Sequence, residues 1–108
     1  MITVVYHRDR NRVEVKGHAN SGEMGHDLIC ASATILVHTL ATLAKNMEIA
    51  GHIKYPTVEI SEGHALISCN VPRKYKSTVT FAIDAICGGY DFLAQNYPEY
   101  ISYQIRGK

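Results

Sequence analysis

Between Asp27 and about Ile49 the chain carries apolar residues at 29, 33, 36, 40, 43, 44 and 47, and after Asp27 no charged side chain appears before Lys45. A period near 3.6 over that length predicts one long helix whose apolar stripe must be buried. Leu28, Ala31, Ile35 and Val37 widen the stripe around the cylinder, so a single sheet face cannot cover it all. A second partner surface is implied, most simply another copy of the chain in a homodimer. Gly51 is placed to terminate the helix.

The flanking segments change period. Ile2, Val4 and Tyr6 alternate with Thr3, Val5 and His7, and Val13 and Val15 alternate with Arg12, Glu14 and Lys16. These read as a hairpin of strands 2–7 and 12–17 around a polar turn, Arg8 to Asn11. Strands follow at about Thr57–Ile60 and Ala65–Val71, joined by the tight turn Ser61 to His64. A second helix runs from near Lys74 to Asn96 on the stripe Val79, Ala82, Ile83, Ile86, Tyr90 and Leu93, and Pro98 ends the segment. Gly88 and Gly89 inside it cost about 1 kcal/mol each against alanine, which points to close packing or a bend there. Ile101, Tyr103 and Ile105 alternate as a last strand. The order ββαββαβ defines an α+β fold, a mostly antiparallel sheet packed with two helices in a single small domain spanning 1–108.

With 46% apolar and 19% charged residues the chain can build one core. A formal net charge of +1 gives no electrostatic footprint for nucleic acid, so no nucleic-acid partner is expected. Three cysteines, an odd number, and a charged N-terminal segment without a signal-peptide pattern suggest free thiols in a reducing compartment, hence the cytoplasm. The longest uncharged segment, Leu28 to Ala44, contains Ser, Thr and His and is shorter than the roughly 20 apolar residues of a membrane span.

Chemistry concentrates in Gly17 to Thr34, GHANSGEMGHDLICASAT, between a strand end and the long helix. Asp27 reads as the helix N-cap, which places Cys30 in the first turn. Free amides and the positive end of the helix dipole favour an anion there, so the thiolate is stabilised and the same amides could hold an oxyanion. His18 ends the preceding strand, and a return of the chain to Cys30 can bring imidazole and sulfur together, making His18 the candidate general base. The loop with Gly22, Gly25 and His26 can act as a lid or serve as an ordinary strand-to-helix connection. Asp27 has two possible roles, helix cap or orienting carboxylate for His18. Cys69 and Cys87 read as buried hydrophobes, and His7, His38, His52 and His64 as structural or solvent-facing.

This stretch resembles the active-site motif of the ribosomal-processing cysteine proteases, the Prp family. The residues are Gly17-His18-Ala19 at a strand end, the glycine loop Gly22 to Gly25, and Gly25-His26-Asp27-Leu28-Ile29-Cys30-Ala31 entering a helix. The sequence departs from the expected pattern at Ser32 and Thr34. The resemblance implies a cofactor-independent cysteine endopeptidase with His18 and Cys30 as catalytic pair. It also implies a homodimer whose peptide substrate is the N-terminal extension of a large-subunit ribosomal protein precursor. Two readings of another class stand beside it. His18, His26 and Cys30, with His64, could hold zinc, although their spacing matches no paired-cysteine motif, or the chain could be a non-catalytic ribosome-associated module.

Overall fold

The computed structural model describes residues 1–17 and 26–108, with the side chains of all of these except His26 and Asp27. Strands β1 (Ile2–His7), β2 (Arg12–Lys16), β3 (Lys54–Ser61), β4 (His64–Asn70) and β5 (Ile101–Arg106) form one sheet in the order β3-β4-β2-β1-β5. Every neighbouring pair is antiparallel except β1 with β5. Helices α1 (His26–Ile49) and α2 (Lys76–Asn96) complete the ββαββαβ order.

The alternation read from the sequence decides which sheet face is covered. Ile2, Val4, Tyr6, Val13, Val15, Ala65, Ile67, Cys69 and Ile101 are buried in one core with the stripes of both helices. The helices therefore share one face, and the intervening residues Arg12, Glu14 and Lys16 stand on the open one. From α1 the core takes Ile29, Ala33, Val37, Leu40, Ala44 and Met47. Each large aliphatic side chain there contributes about 1.5–3 kcal/mol by leaving water. Val37 thus belongs to the core and not to the outward surface, where Leu28 and Ile35 stand about two-thirds exposed. By length and hydropathy alone Leu28–Ile49 would suffice to cross a membrane, contrary to the shorter estimate from Leu28 to Ala44; in the fold its stripe packs on the sheet.

The two helices meet at the glycine pair. A Cβ on Gly89 would lie 2.8 Å from Leu36 of α1, whereas one on Gly88 would meet nothing within 4 Å. Beside this contact the Tyr90 hydroxyl donates to the Ala33 carbonyl at 3.2 Å. Tyr6 and Arg8 tie the β1 end to α2: the Tyr6 hydroxyl and the Arg8 guanidinium both donate to Asp84, at 2.8 Å and at 2.9 to 3.2 Å. Edge strand β3 is longer than the alternation suggested. It begins with a bulge between Lys54 and Thr57, where Tyr55 adopts a left-handed φ of 50°.

Candidate active site

Strand β2 delivers the chain to the site through one restrained residue. Gly17 has φ of 103°, its N–H donates to the Gly63 carbonyl at 2.9 Å, and a Cβ there would overlap the Met1 carbonyl. A side chain at this position would therefore be strained in both conformation and space. The bonding holds the end of β2 between the N-terminus and the β3–β4 turn, immediately before His18. His18 itself, Gly22 and Gly25 lie outside the described residues.

On the other side, α1 carries Cys30. The helix begins at His26, so Asp27 is one residue inside it and not the capping residue before it. The expectation of an N-cap at Asp27 is corrected by that shift, and Cys30 becomes the fifth helical residue, just beyond the first turn. Amides without an intrahelical partner belong to the residues preceding it. Helical side chains lean back over the turn N-terminal to their own Cα, so the thiol is still directed toward that electropositive end. The side chains of His26 and Asp27 are not among those described.

Cys30 is half-buried and lines an open cleft of about 260 Å³. Ala33, Thr34 and Val37 continue the helix wall, Ile2, Val15 and Gly17 form the floor, and the β3–β4 turn from Ile60 to Ala65 supplies the opposite rim. Most of the lining is small or apolar, which suits an extended peptide more than a highly charged small ligand. Of the departures from the family pattern, Ser32 bonds its own helix at the Leu28 carbonyl, 2.8 Å, and only Thr34 lines the cleft.

The other thiols are enclosed. Burial pushes the Cys69 thiol up and raises that of Cys87 to about 12, so both stay protonated and inert near neutral pH.

His64, read from the sequence as structural or solvent-facing, has a partner that sequence reasoning missed. Its Nε2 is 2.8 Å from Glu14 Oε2, a diagonal cross-strand pair, and hydrogen bonding to His64 lowers the Glu14 pKa. By strand alternation both side chains stand on the open face of the sheet, and they fasten the β3–β4 turn to β2 close to Gly17. The signal available was Glu14 and His64 lying on paired strands, but the register that brings them together is not written in either segment alone. This pairing engages His64 Nε2 with Glu14, and among the described residues no group of three His, Cys, Asp or Glu side chains could hold a metal ion.

The fold and cleft define a small α+β enzyme whose one partly accessible cysteine, among the described residues, lies near the start of a helix and lines a mostly apolar cleft. The chain belongs to the family of the cysteine protease Prp, whose model matches residues 1–102, and it is accordingly a cysteine endopeptidase. No curated protein matches the sequence significantly. Among solved structures it is similar to SMU.848 from Streptococcus mutans, at 26% identity over 97% of this chain and 91% of that one, with a TM-score of 0.72. It shares its fold with two structures of the essential ribosomal processing protease Prp from S. aureus. One, with a covalently linked product peptide, is 22% identical with a TM-score of 0.71, and covers 98% of this chain and 100% of that one. The other, with a substrate peptide, is 21% identical with a TM-score of 0.72 and the same coverage.

Proposed function

We propose that this chain is a ribosomal processing protease that removes the N-terminal extension of a large-subunit ribosomal protein precursor. Cys30 is its nucleophile and His18 its general base. The observation carrying this reading is that Cys30 lines a cleft whose floor includes Gly17, the residue directly before His18. His18 takes the thiol proton, and the Cys30 thiolate attacks the scissile carbonyl carbon. When the tetrahedral intermediate collapses, the C–N bond breaks, the amine leaves with the proton from His18, and a thioester remains. His18 then deprotonates a water that hydrolyses the thioester and releases the thiol. Free amides at the α1 N-terminus hold the oxyanion, and Asp27 orients His18 or supports the helix start. The segment with Gly22 and Gly25 covers the peptide in this reading, and His26 begins α1 beside it. No cofactor enters any step.

The S. aureus complexes with product and substrate peptides support a peptide substrate of this kind. The same reading places the enzyme in the cytoplasm, where its precursor would be made. It also makes the enzyme a homodimer through the outer helical face, where Leu28, Ile35, Phe81 and Phe92 are exposed.

Incubation with the source organism's own precursor tests the assignment. Cys30→Ala should abolish cleavage, His18→Ala should reduce it about 10²-fold or more, and His26→Ala clearly less. Circular dichroism must first show all three folded. Full activity in Cys30→Ala would exclude the nucleophile, and a loss confined to His26→Ala would transfer the base to that residue.

A further inference from the structure

The net charge of +1 conceals a separation of charge along the molecule. From Cys30 to Ile49, α1 travels about 28 Å toward the end of the sheet where β1 finishes and β2 begins. The turn between those strands brings Arg8, Arg10 and Arg12 to that end. The segment after β4 adds Arg73, Lys74 and Lys76, and the start of β3 adds Lys54. Arg106 and Lys108 close β5 there, so nine of the eleven lysines and arginines lie opposite the cleft. Among the described residues the acids at that end are Asp9 and Glu48, and Asp84 two turns along α2 is already held by Arg8.

Most of these cations are not spent on the fold. Arg8 is paired with Asp84, and Lys76 donates to the Asp9 carbonyl at 3.1 Å and to Asn11. Arg10, Arg12, Lys54, Arg73, Lys74 and Lys108 make no ion pair among the described residues, and all but Arg12 are well exposed. They span five strands, about 19 Å at the ordinary strand spacing. A polar hollow lined by Arg10, Arg12, Asn70 and Lys76, with Asp9 as its one acid, lies among them.

Aromatic rings are interleaved with the charge. Tyr55, 79% exposed at the β3 bulge, follows Lys54 directly. Tyr75 packs on His52 with ring centroids 4.5 Å apart, and Lys74 Nζ lies 5.4 Å from the Tyr75 centroid. Unpaired cations spread over several phosphate spacings, beside an exposed ring free to stack, fit a polyanion that also carries flat bases. We propose that this end of the domain binds single-stranded nucleic acid, with phosphates on Arg10, Arg73 and Lys74 and a base on Tyr55. An acidic protein could also meet these cations and cover the ring; the alternation of cations with an exposed ring matches the alternating phosphates and bases of a single strand more directly. The proposal does not rest on the protease reading, since none of these residues lines the Cys30 cleft.

Fluorescence anisotropy of the whole chain with labelled RNA and DNA oligonucleotides of about 20 nucleotides tests it. Neutralising about three phosphates should make binding about 20-fold weaker between about 50 and about 200 mM KCl. The triple variant Arg10→Glu, Arg73→Glu, Lys74→Glu should lose at least about tenfold in affinity, and Tyr55→Ala about tenfold, the scale of one stacked base. Both should keep wild-type peptide cleavage, which also certifies that they are folded. The RNA and DNA arms decide which nucleic acid is preferred; equal binding supports recognition through phosphate and base alone. Absence of salt-sensitive binding, or a triple variant that binds like wild type, would overturn the proposal. So would competition by polyglutamate equal to that by oligonucleotide together with an unaffected Tyr55→Ala, since that result identifies an acidic protein surface instead.

Discussion

Three glycines allow the backbone argument at the cleft to be tested with one chemical change. Gly17→Ala adds a methyl where φ is 103° and where the new atom would overlap the Met1 carbonyl. The conformation alone costs about 1–3 kcal/mol for a residue with a side chain. Relieving the overlap also requires moving either Met1 or the bond from the Gly17 N–H to Gly63, so a total of about 2–3 kcal/mol is expected. For a domain of this size that lowers Tm by about 10–20 °C. Gly88→Ala makes the same change in an exposed helical position with nothing within 4 Å, and should stabilise by about 0.5–1 kcal/mol. Gly89→Ala should fall between the two, because its Cβ would meet the flexible end of Leu36 and not backbone. Thermal melts followed by circular dichroism give the order, and cleavage measured well below each Tm should fall only for Gly17→Ala, the one variant that moves the chain next to His18. If Gly17→Ala melts within about 2 °C of wild type, or above Gly89→Ala, the restrained strand end is not what the geometry says it is.

The remaining expectations concern thiols, acid and assembly. Iodoacetamide near neutral pH should alkylate Cys30 well before the buried Cys69 and Cys87, and peptide mapping that found Cys30 the slowest would remove it as nucleophile. The Arg8 hydrogen bonds lower the Asp84 pKa, so their contribution to stability is fully present above the ordinary carboxylate value and is lost as pH falls through the lower folded value. Asp84→Asn should therefore flatten the dependence of stability on pH below about 4 in urea titrations, and an unchanged acid limb would contradict the pairing. At the proposed dimer surface, Ile35→Glu should weaken self-association because each charge meets its own symmetry copy or is buried unpaired. Sedimentation of the wild type as a monomer at micromolar concentration would end that proposal.

Why the fold was largely legible follows from how its signals are encoded. Helix period, strand alternation and turn residues are local, so the elements and their order emerge within a few residues of their bounds. The sequence pattern groups Val37 with Leu28, Ala31 and Ile35 as widening the stripe beyond one sheet face, but Val37 is buried with the core. Val37 follows Ala33 by four residues and Leu36 by one, so either residue could belong to the buried stripe. The angle at which α1 lies on the sheet puts Val37 in the core and leaves Leu36 partly buried against Gly89 of α2. Likewise β3 extends to Lys54 across Pro56 because it is an edge strand with a bulge, where a missing N–H and a left-handed Tyr55 are tolerated. Turn-forming residues there carry the marks of a loop.

The site was legible to the extent that its parts adjoin in sequence. Cys30 near a helix start is visible because its position on an element, and not its contacts, singles it out; His18 lies outside the described residues. Glu14 and His64 have no such mark, and they illustrate why a chemically loud residue can still be supporting structure. A histidine invites a ligand or base role, but here its Nε2 is held by a carboxylate on the adjacent strand. The consequence is mechanical. The bond fixes the β3–β4 turn to β2, the turn's Gly63 carbonyl accepts from Gly17, and Gly17 sets the direction in which the chain leaves toward His18. The cleft that Cys30, Gly17 and His64 line is thereby coupled to a cross-strand pair that neither side chain reveals until the strands are registered.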